Sequence, residues 1–290
     1  MTANTLLCFG FGYTARTLAE RLLPQGWTVR GTSRQPARRA LDGVAMFAFD
    51  RDRALPDAAL EGVTHVLSSI APDEAGDPVL EVEGPRLAAL PGLVWAGYLG
   101  TTAVYGNRDG AWVDETSDLR PTSARGQWRV RSEAAWLGSG LPAHVFRLAG
   151  IYGPGRSAVD QLRAGTARRI VKPGQVFSRI HVADIATVLE ASIAQPHPGA
   201  VYNVCDDEPA APQDVVEYAA QALGLPVPPD LPYDTADLSP MARTFYLDNR
   251  RVRNDRIHEE LGVRLAYPTF REGIDALVAA PPGGGIQSRS

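Results

Sequence analysis

The sequence predicts an α/β fold, a doubly wound parallel sheet with a smaller C-terminal α+β region, and three observations carry the prediction. Short apolar runs alternate with stretches of helical apolar spacing from residue 5 to residue 99. Clusters of Gly, Pro and Asp mark the connections between them. A glycine-rich turn joins the first run to the first helical stretch. Parallel strands need crossover connections, so strands alternating with helices imply a sheet covered on both faces.

In order, residues 5–9 read as a strand, 10–15 as a turn and 17–23 as a helix. Residues 27–32, 44–49 and 65–70 read as further strands, 79–90 as a helix and 93–99 as another strand. Residues 132–137 fall in a long helix, 143–148 in a strand and 150–155 (GIYGPG) in a loop. Residues 182–193 read as a helix, with Asp184 expected to cap its N-terminus, and 200–204 as a strand. The stretch 226–240 is dense in Pro and Asp and reads as a loop, while 254–261 and 269–278 regain helical spacing. The Gly-, Pro- and Ser-rich residues 281–290 read as a disordered tail. The expected division is a core of residues 1–152 with 176–206 and a small substrate region of 153–175 with 207–280.

Composition narrows the function classes. With 44% hydrophobic residues in 290, the chain can bury a substantial core. A net charge of −4 lacks the positive field that nucleic acids or anionic membranes attract. No stretch approaches the roughly 20 apolar residues that cross a bilayer, and no basic region precedes the first apolar run. Cys8 and Cys205 each sit in an apolar run and suit inert thiols in a reducing cytosol, so a cytoplasmic protein with a small-molecule substrate is expected. No His/Cys/Asp/Glu cluster has metal-ligand spacing, and no G-x-S-x-G turn occurs.

Gly10-Phe11-Gly12-Tyr13-Thr14-Ala15 fits the G-x-G-x-x-G/A turn of Rossmann-type dinucleotide sites. The first Gly serves the tight turn, the second lets backbone approach a pyrophosphate, and the small third residue lets helix pack on strand. The context fits, because a strand precedes the turn and a helix follows. NAD-selective sites place an acid at the end of the second strand, whereas this chain has Ser33 and Arg34 there. A guanidinium pairs with phosphate in two parallel hydrogen bonds, so Arg34 with Ser33, assisted by Arg38, suits the 2′-phosphate of NADP. The competing reading is a solvated loop, with NAD as the alternative cofactor. Asp50, at the end of the third strand, reads either as an adenine neighbour or as a turn carboxylate.

Five segments together resemble the extended short-chain dehydrogenase/reductase superfamily, in its NAD-dependent epimerase/dehydratase branch. They are the glycine turn, GTTAVYG at 100–106, RLAGIYGPG at 147–155, RIHVAD at 179–184 and YNVCDD at 202–207. The resemblance implies a nicotinamide lined by Leu148, Ala149 and Gly150, and at Thr101 a hydroxyl that polarises a substrate carbonyl or alcohol. A local backbone cap is the bland reading of Thr101. It also implies homodimers built on two helices from one face of the sheet.

One departure stands out. Hydride-transferring relatives use Tyr-x-x-x-Lys, but Lys172 is the only lysine and Arg168 stands four residues before it. Aligned through Glu133, the helix puts Arg125 at the tyrosine position and Arg129 at the lysine position. Arg125 stays protonated and is a poor proton shuttle, while Arg129 can still hydrogen-bond a ribose. This pattern, with NRRVRN at 249–254 and YPTFREG at 267–273, is similar to the superfamily's atypical members.

As a replacement acid or base, His181 has the appropriate pKa range, against a packed histidine as its alternative. Tyr105 reads as structural and Tyr152 as slightly better placed. Arg147, Arg156 and Arg179 read as anion binders or solvated surface, and Arg250, Arg251, Arg253 and Arg256 as a solvated helix face. Two functions remain: an NADP(H)-dependent oxidoreductase or epimerase-like enzyme on a small anionic or sugar-like substrate, or a cofactor-binding sensor without turnover.

Overall fold

The computed structural model describes residues 4–281, apart from the side chains at 240 and 241. Seven strands, β1 (Thr5–Phe9), β2 (Thr28–Ser33), β3 (Val44–Ala48), β4 (His65–Ser68), β5 (Trp95–Thr101), β6 (Ala143–Leu148) and β7 (Val201–Val204), form one sheet in the order β7-β6-β5-β4-β1-β2-β3. Every pairing in it is parallel. β1, β4 and β6 are buried along their whole length, as strands of a parallel sheet covered on both faces are, and β6 takes the polar His144 and Arg147 into the interior with it.

Helices of ten residues or more are α1 (Tyr13–Leu22), α2 (Pro78–Ala88), α3 (Ala124–Leu137), α4 (Val182–Ala194), α5 (Pro212–Ala222) and α6 (Phe270–Ala279). Successive strand residues face opposite sides. Leu6 and Cys8 therefore pack with Leu18 and Leu22 of α1 and Ile185 and Leu189 of α4. Leu7 and Phe9 pack with Val79 and Leu87 of α2 and Trp136 of α3. Cys8 and Cys205 are free and buried, and burial pushes the Cys8 thiol up to about 12.

A third core joins Tyr152, Val159, Val215, Phe270 and Ile274, binding α5, α6 and the short helix Ala158–Arg163 into the smaller region. Residues 150–155 are not all loop: Gly150–Tyr152 is a strand paired in parallel with Arg179–His181. Within 226–240, Asp230–Pro232 pairs with Arg169–Val171. Both strands are too short for periodicity to reveal, and their Gly and Pro content masks them.

Asp184 is not a cap. The N-cap of α4 is His181, whose Nδ1 accepts the Ala183 N–H at 3.2 Å. Asp184 instead accepts the N–H groups of Ala266 and Tyr267 at 2.8 and 3.0 Å, which ties the approach to α6 onto α4. Of the expected tail, residues 282–290 lie outside the described residues. Among those described, no helix is long and apolar enough to cross a membrane.

Candidate functional site

Strand order reverses between β1 and β4, and in sheets of this kind the crevice beyond the strand ends at that point receives ligands. The glycine turn stands there. Gly10 has φ +81°, and a Cβ on it would lie 2.7 Å from Ser69 Oγ, a hydroxyl that itself donates to the Gly10 carbonyl at 2.6 Å. Only glycine combines that φ with that approach.

Gly12 is the N-cap of α1 and offers no side chain to cap the first N–H groups. A Cβ on Gly12 would meet nothing within 4 Å. The positive end of α1 thus opens on free space that a phosphate can fill. Ala15 and Phe11 are buried behind it. The Phe11 ring lies under Gly31, so its place is between β1 and β2 rather than on a ligand. The Tyr13 hydroxyl donates to the Pro154 carbonyl at 2.9 Å and clasps the turn to the loop after Tyr152.

From this turn a cleft of about 1180 Å³ runs into the smaller region. Gly12, Tyr13, Thr14, Thr101, Leu148, Ala149 and Gly150 line it, as do Arg125 and Arg129. Thr101 and Leu148 are register partners at the ends of β5 and β6. The Thr101 hydroxyl accepts the Ala103 N–H at 3.2 Å, so it caps the backbone while bordering the cleft. Arg129 donates to the Leu99 carbonyl at 2.9 Å and the Tyr98 hydroxyl at 3.1 Å.

Arg147 is neither solvated nor an anion binder. It is 5% exposed and meets Glu133, 2% exposed, at 3.0 Å. It also donates to the Tyr105 hydroxyl at 2.8 Å, which in turn donates to Asn203 at 2.7 Å. Burial pushes the Glu133 carboxyl up, and Arg147 opposes that shift. Tyr105 keeps a structural place, its phenol raised to about 12 by burial.

His181 does not line the cleft. Its ring packs against Tyr152 and Tyr267, and burial lowers its pKa to about 4, which leaves it neutral and occupied as a helix cap. Tyr152 lines the cleft, but its hydroxyl is buried with no partner among the described residues and its pKa is raised, first by burial. Arg179 borders the cleft while donating to the Phe177 and Ala210 carbonyls.

Ser33 and Arg34 close β2, where Ser33 Oγ accepts the Gln35 N–H at 3.1 Å and Arg34 is exposed. Asp50 accepts the Asp52 N–H at 3.1 Å, a turn role. These three lie outside the lining of the cleft. Arg250, Arg251 and Arg253 are on no helix face, because the helix starts only at Asp255, and only Arg256 stands on it, paired with Glu260. Arg250 reaches the cleft, paired with Asp248 at 3.0 Å. Lys172 donates to the Tyr246 carbonyl and stays off the cleft.

Sequence reasoning missed three features. Asp77 accepts from Ser132 and Trp136 of α3 as well as capping α2, and its Asp-Pro step before a helical pattern was the available signal. Phe245 and Leu247 border the cleft, 63% and 60% exposed. Asp206 is buried beside Arg179 with one oxygen unpartnered, and burial raises its pKa to about 8. Among the described residues, no three His, Cys, Asp or Glu side chains gather as a metal site.

No protein-family model matches the chain. A 3-diazoavenalumate denitrifying reductase of Streptomyces is 30% identical over 149 residues, 47% of each chain, so this chain covers about half of that relative's length. Protein YeeZ of Escherichia coli K12 is 27% identical over 278 residues, 89% of this chain and 94% of that one. Among solved structures, a putative NAD-dependent epimerase/dehydratase from Methylobacillus flagellatus superposes with a TM-score of 0.74 at 25% identity, over 96% of this chain and 98% of that one. Human epimerase family protein SDR39U1 with NADPH gives 0.72 at 20% identity, covering 94% and 99%, a likeness of fold. A functionally unknown conserved protein from Silicibacter pomeroyi DSS is 58% identical over 96% of this chain and 99% of that one, with a TM-score of 0.88. The chain belongs to one family with that Silicibacter protein, and its structural neighbours are proteins of the NAD-dependent epimerase/dehydratase group.

Proposed function

We propose that the chain is an NADP(H)-dependent oxidoreductase or epimerase-like enzyme, an atypical short-chain dehydrogenase/reductase acting on a small anionic or sugar-like substrate. One observation carries the reading: the uncapped end of α1, with open space in front of Gly12, leads directly into a cleft bordered by Thr101 and by Leu148 to Gly150. The residues fit a nicotinamide dinucleotide, which when bound supplies or accepts a hydride. Gly12 admits the pyrophosphate, and the first N–H groups of α1 receive its charge. Arg34 is exposed just past the end of β2, where the sequence carries Ser33 and no acid, and favours the 2′-phosphate. Arg129, steadied by Leu99 and Tyr98, is the group that holds the ribose.

NADPH in the human neighbour and the word reductase in the name of the Streptomyces relative support this reading. The division into residues 1–152 with 176–206 for cofactor and 153–175 with 207–280 for substrate belongs to the same proposal. The competing reading, a cofactor sensor without turnover, draws on Thr101 being engaged as a cap and on Arg125 standing where a proton donor would serve. Calorimetric titration with NADPH and NADH, repeated with Arg34→Ala, tests the proposal. The expected result is NADPH at least tenfold tighter, about 1.4 kcal/mol, with the preference lost in the variant. Failure of both cofactors to bind below millimolar concentration would overturn it.

A further inference from the structure

The wall of the cleft carries more positive charge than the chain neutralises. Arg125, Arg129, Arg156, Arg179 and Arg250 line it, against two carboxylates, Asp160 and Asp248. Asp248 is paired with Arg250 and accepts the Thr122 hydroxyl, and Asp160 accepts the Ser157 hydroxyl at 2.5 Å. Arg179 is spent on the Phe177 and Ala210 carbonyls. Arg125 and Arg129 stand one turn apart on α3, a spacing at which like charges repel. Arg129 is anchored, whereas Arg125 is exposed and makes no side-chain hydrogen bond or ion pair among the described residues. Arg156 sits in the loop that Tyr13 clasps to the glycine turn, nearer the place proposed for the cofactor's phosphates than the apolar side.

The same cleft has an apolar side. Phe245 and Leu247 border it while 63% and 60% exposed, and Val176, Phe177 and Val216 line it too. Two large apolar side chains left open beside a cavity mark a place where a ligand gains by covering them. A polyhydroxylated sugar can stack one C–H face on a ring but sets its hydroxyls against Leu247, Val176 and Val216, and a neutral hydrocarbon brings no counter-charge to Arg125.

We infer that the substrate is an amphipathic anion, its carboxylate or phosphate seated on Arg125 beside Arg129 and its apolar body lying along Phe177, Phe245 and Leu247. This narrows the substrate class proposed above. It rests on that proposal only in taking the cleft as the substrate's place.

The test is calorimetry on the full chain, alone and saturated with NADPH. The probes are trans-cinnamate, phenyl phosphate, the neutral cinnamamide and the polar anion glucuronate. The expected result is that cinnamate or phenyl phosphate, whichever head group fits, binds at least about tenfold tighter than both cinnamamide and glucuronate. Arg125→Gln is expected to erase the preference over the amide, and Phe245→Ser the preference over glucuronate, with NADPH affinity held within about twofold in both variants. Equal binding of the amide, tighter binding of glucuronate, no anion bound below millimolar, or a parallel loss of NADPH affinity in Arg125→Gln each overturns the inference. If NADPH fails to bind while cinnamate still depends on Arg125, the cofactor proposal falls and the amphipathic anion stands.

Discussion

Replacing Glu133 by Gln removes one charge from the buried pair beneath the cleft and keeps an acceptor of the same shape. Arg147 donates through Nε and Nη2 to the same carboxylate oxygen, at 3.1 and 3.0 Å, and only 5% of it is exposed. The guanidinium would be left buried and uncompensated, a change that costs about 3–5 kcal/mol when one member of such a pair is lost. At about 2–4 °C per kcal/mol for a domain of this size, the midpoint of thermal unfolding should fall by about 6–20 °C. Differential scanning calorimetry reads this directly. The double variant Glu133→Leu, Arg147→Met removes both charges and should recover most of the loss, because the desolvation of both groups disappears together. A shift below about 2 °C in Glu133→Gln would show that the pair contributes little and that the wall under Thr101 is held by packing alone.

Other tests follow from the same structure. Gly12→Ala should leave unfolding by urea within about 1 kcal/mol of wild type, since a Cβ meets nothing there, while NADPH affinity falls at least tenfold. Asp206 has a folded-state pKa near 8, above its unfolded value of about 3.9, so the native state holds the extra proton and stability declines as pH rises between those values. Asp206→Asn should abolish that decline and be more stable than wild type at pH 8 but not at pH 4, and parallel pH profiles would refute the assignment. His181 is lowered to about 4 from an ordinary 6.5, so its contribution is present above pH 6.5 and lost on acidification towards 4. His181→Asn should flatten that part of the acid profile and leave NADPH affinity unchanged.

What the sequence disclosed and what it hid have separate physical causes. The glycine turn and the strand end at Leu148 were legible because each is a local pattern with a local mechanism: a backbone needing φ above zero, an apolar run ending at a turn. Thr101 instead enters through the family resemblance, since the apolar run of its strand reads only as far as Leu99. The fate of Arg147 was not legible. Its partners Glu133 and Tyr105, and Asn203 behind Tyr105, are brought together by the packing of α3 on the paired strands β5, β6 and β7, which no window of sequence contains. His181 had the appropriate chemistry in a suggestive segment, yet the start of α4 needed an acceptor and took its ring nitrogen. Asp184 was misread for the complementary reason, because its partners at 266 and 267 come from the far end of the chain. Phe245 and Leu247 escaped notice because they follow the stretch 226–240 that reads as loop, at and just past the end of a helix of six residues too short for periodicity to show what it faces.

The lining of the cleft runs from Gly12 to Ile274, and this has a consequence for how the protein is made. The glycine turn, β5 and β6 are all synthesised by residue 148, so a nascent chain can assemble a seat for a dinucleotide early. Phe245 and Leu247 emerge about a hundred residues later, roughly 5–20 s at the rate of a ribosome, and Ile274 later still. On the proposed function, during that interval the chain offers the open end of α1 without the wall of Phe245 and Leu247. If the proposed function holds, truncation after α5 should leave a polypeptide that keeps the phosphate-binding end of α1 but lacks the Phe245 and Leu247 wall.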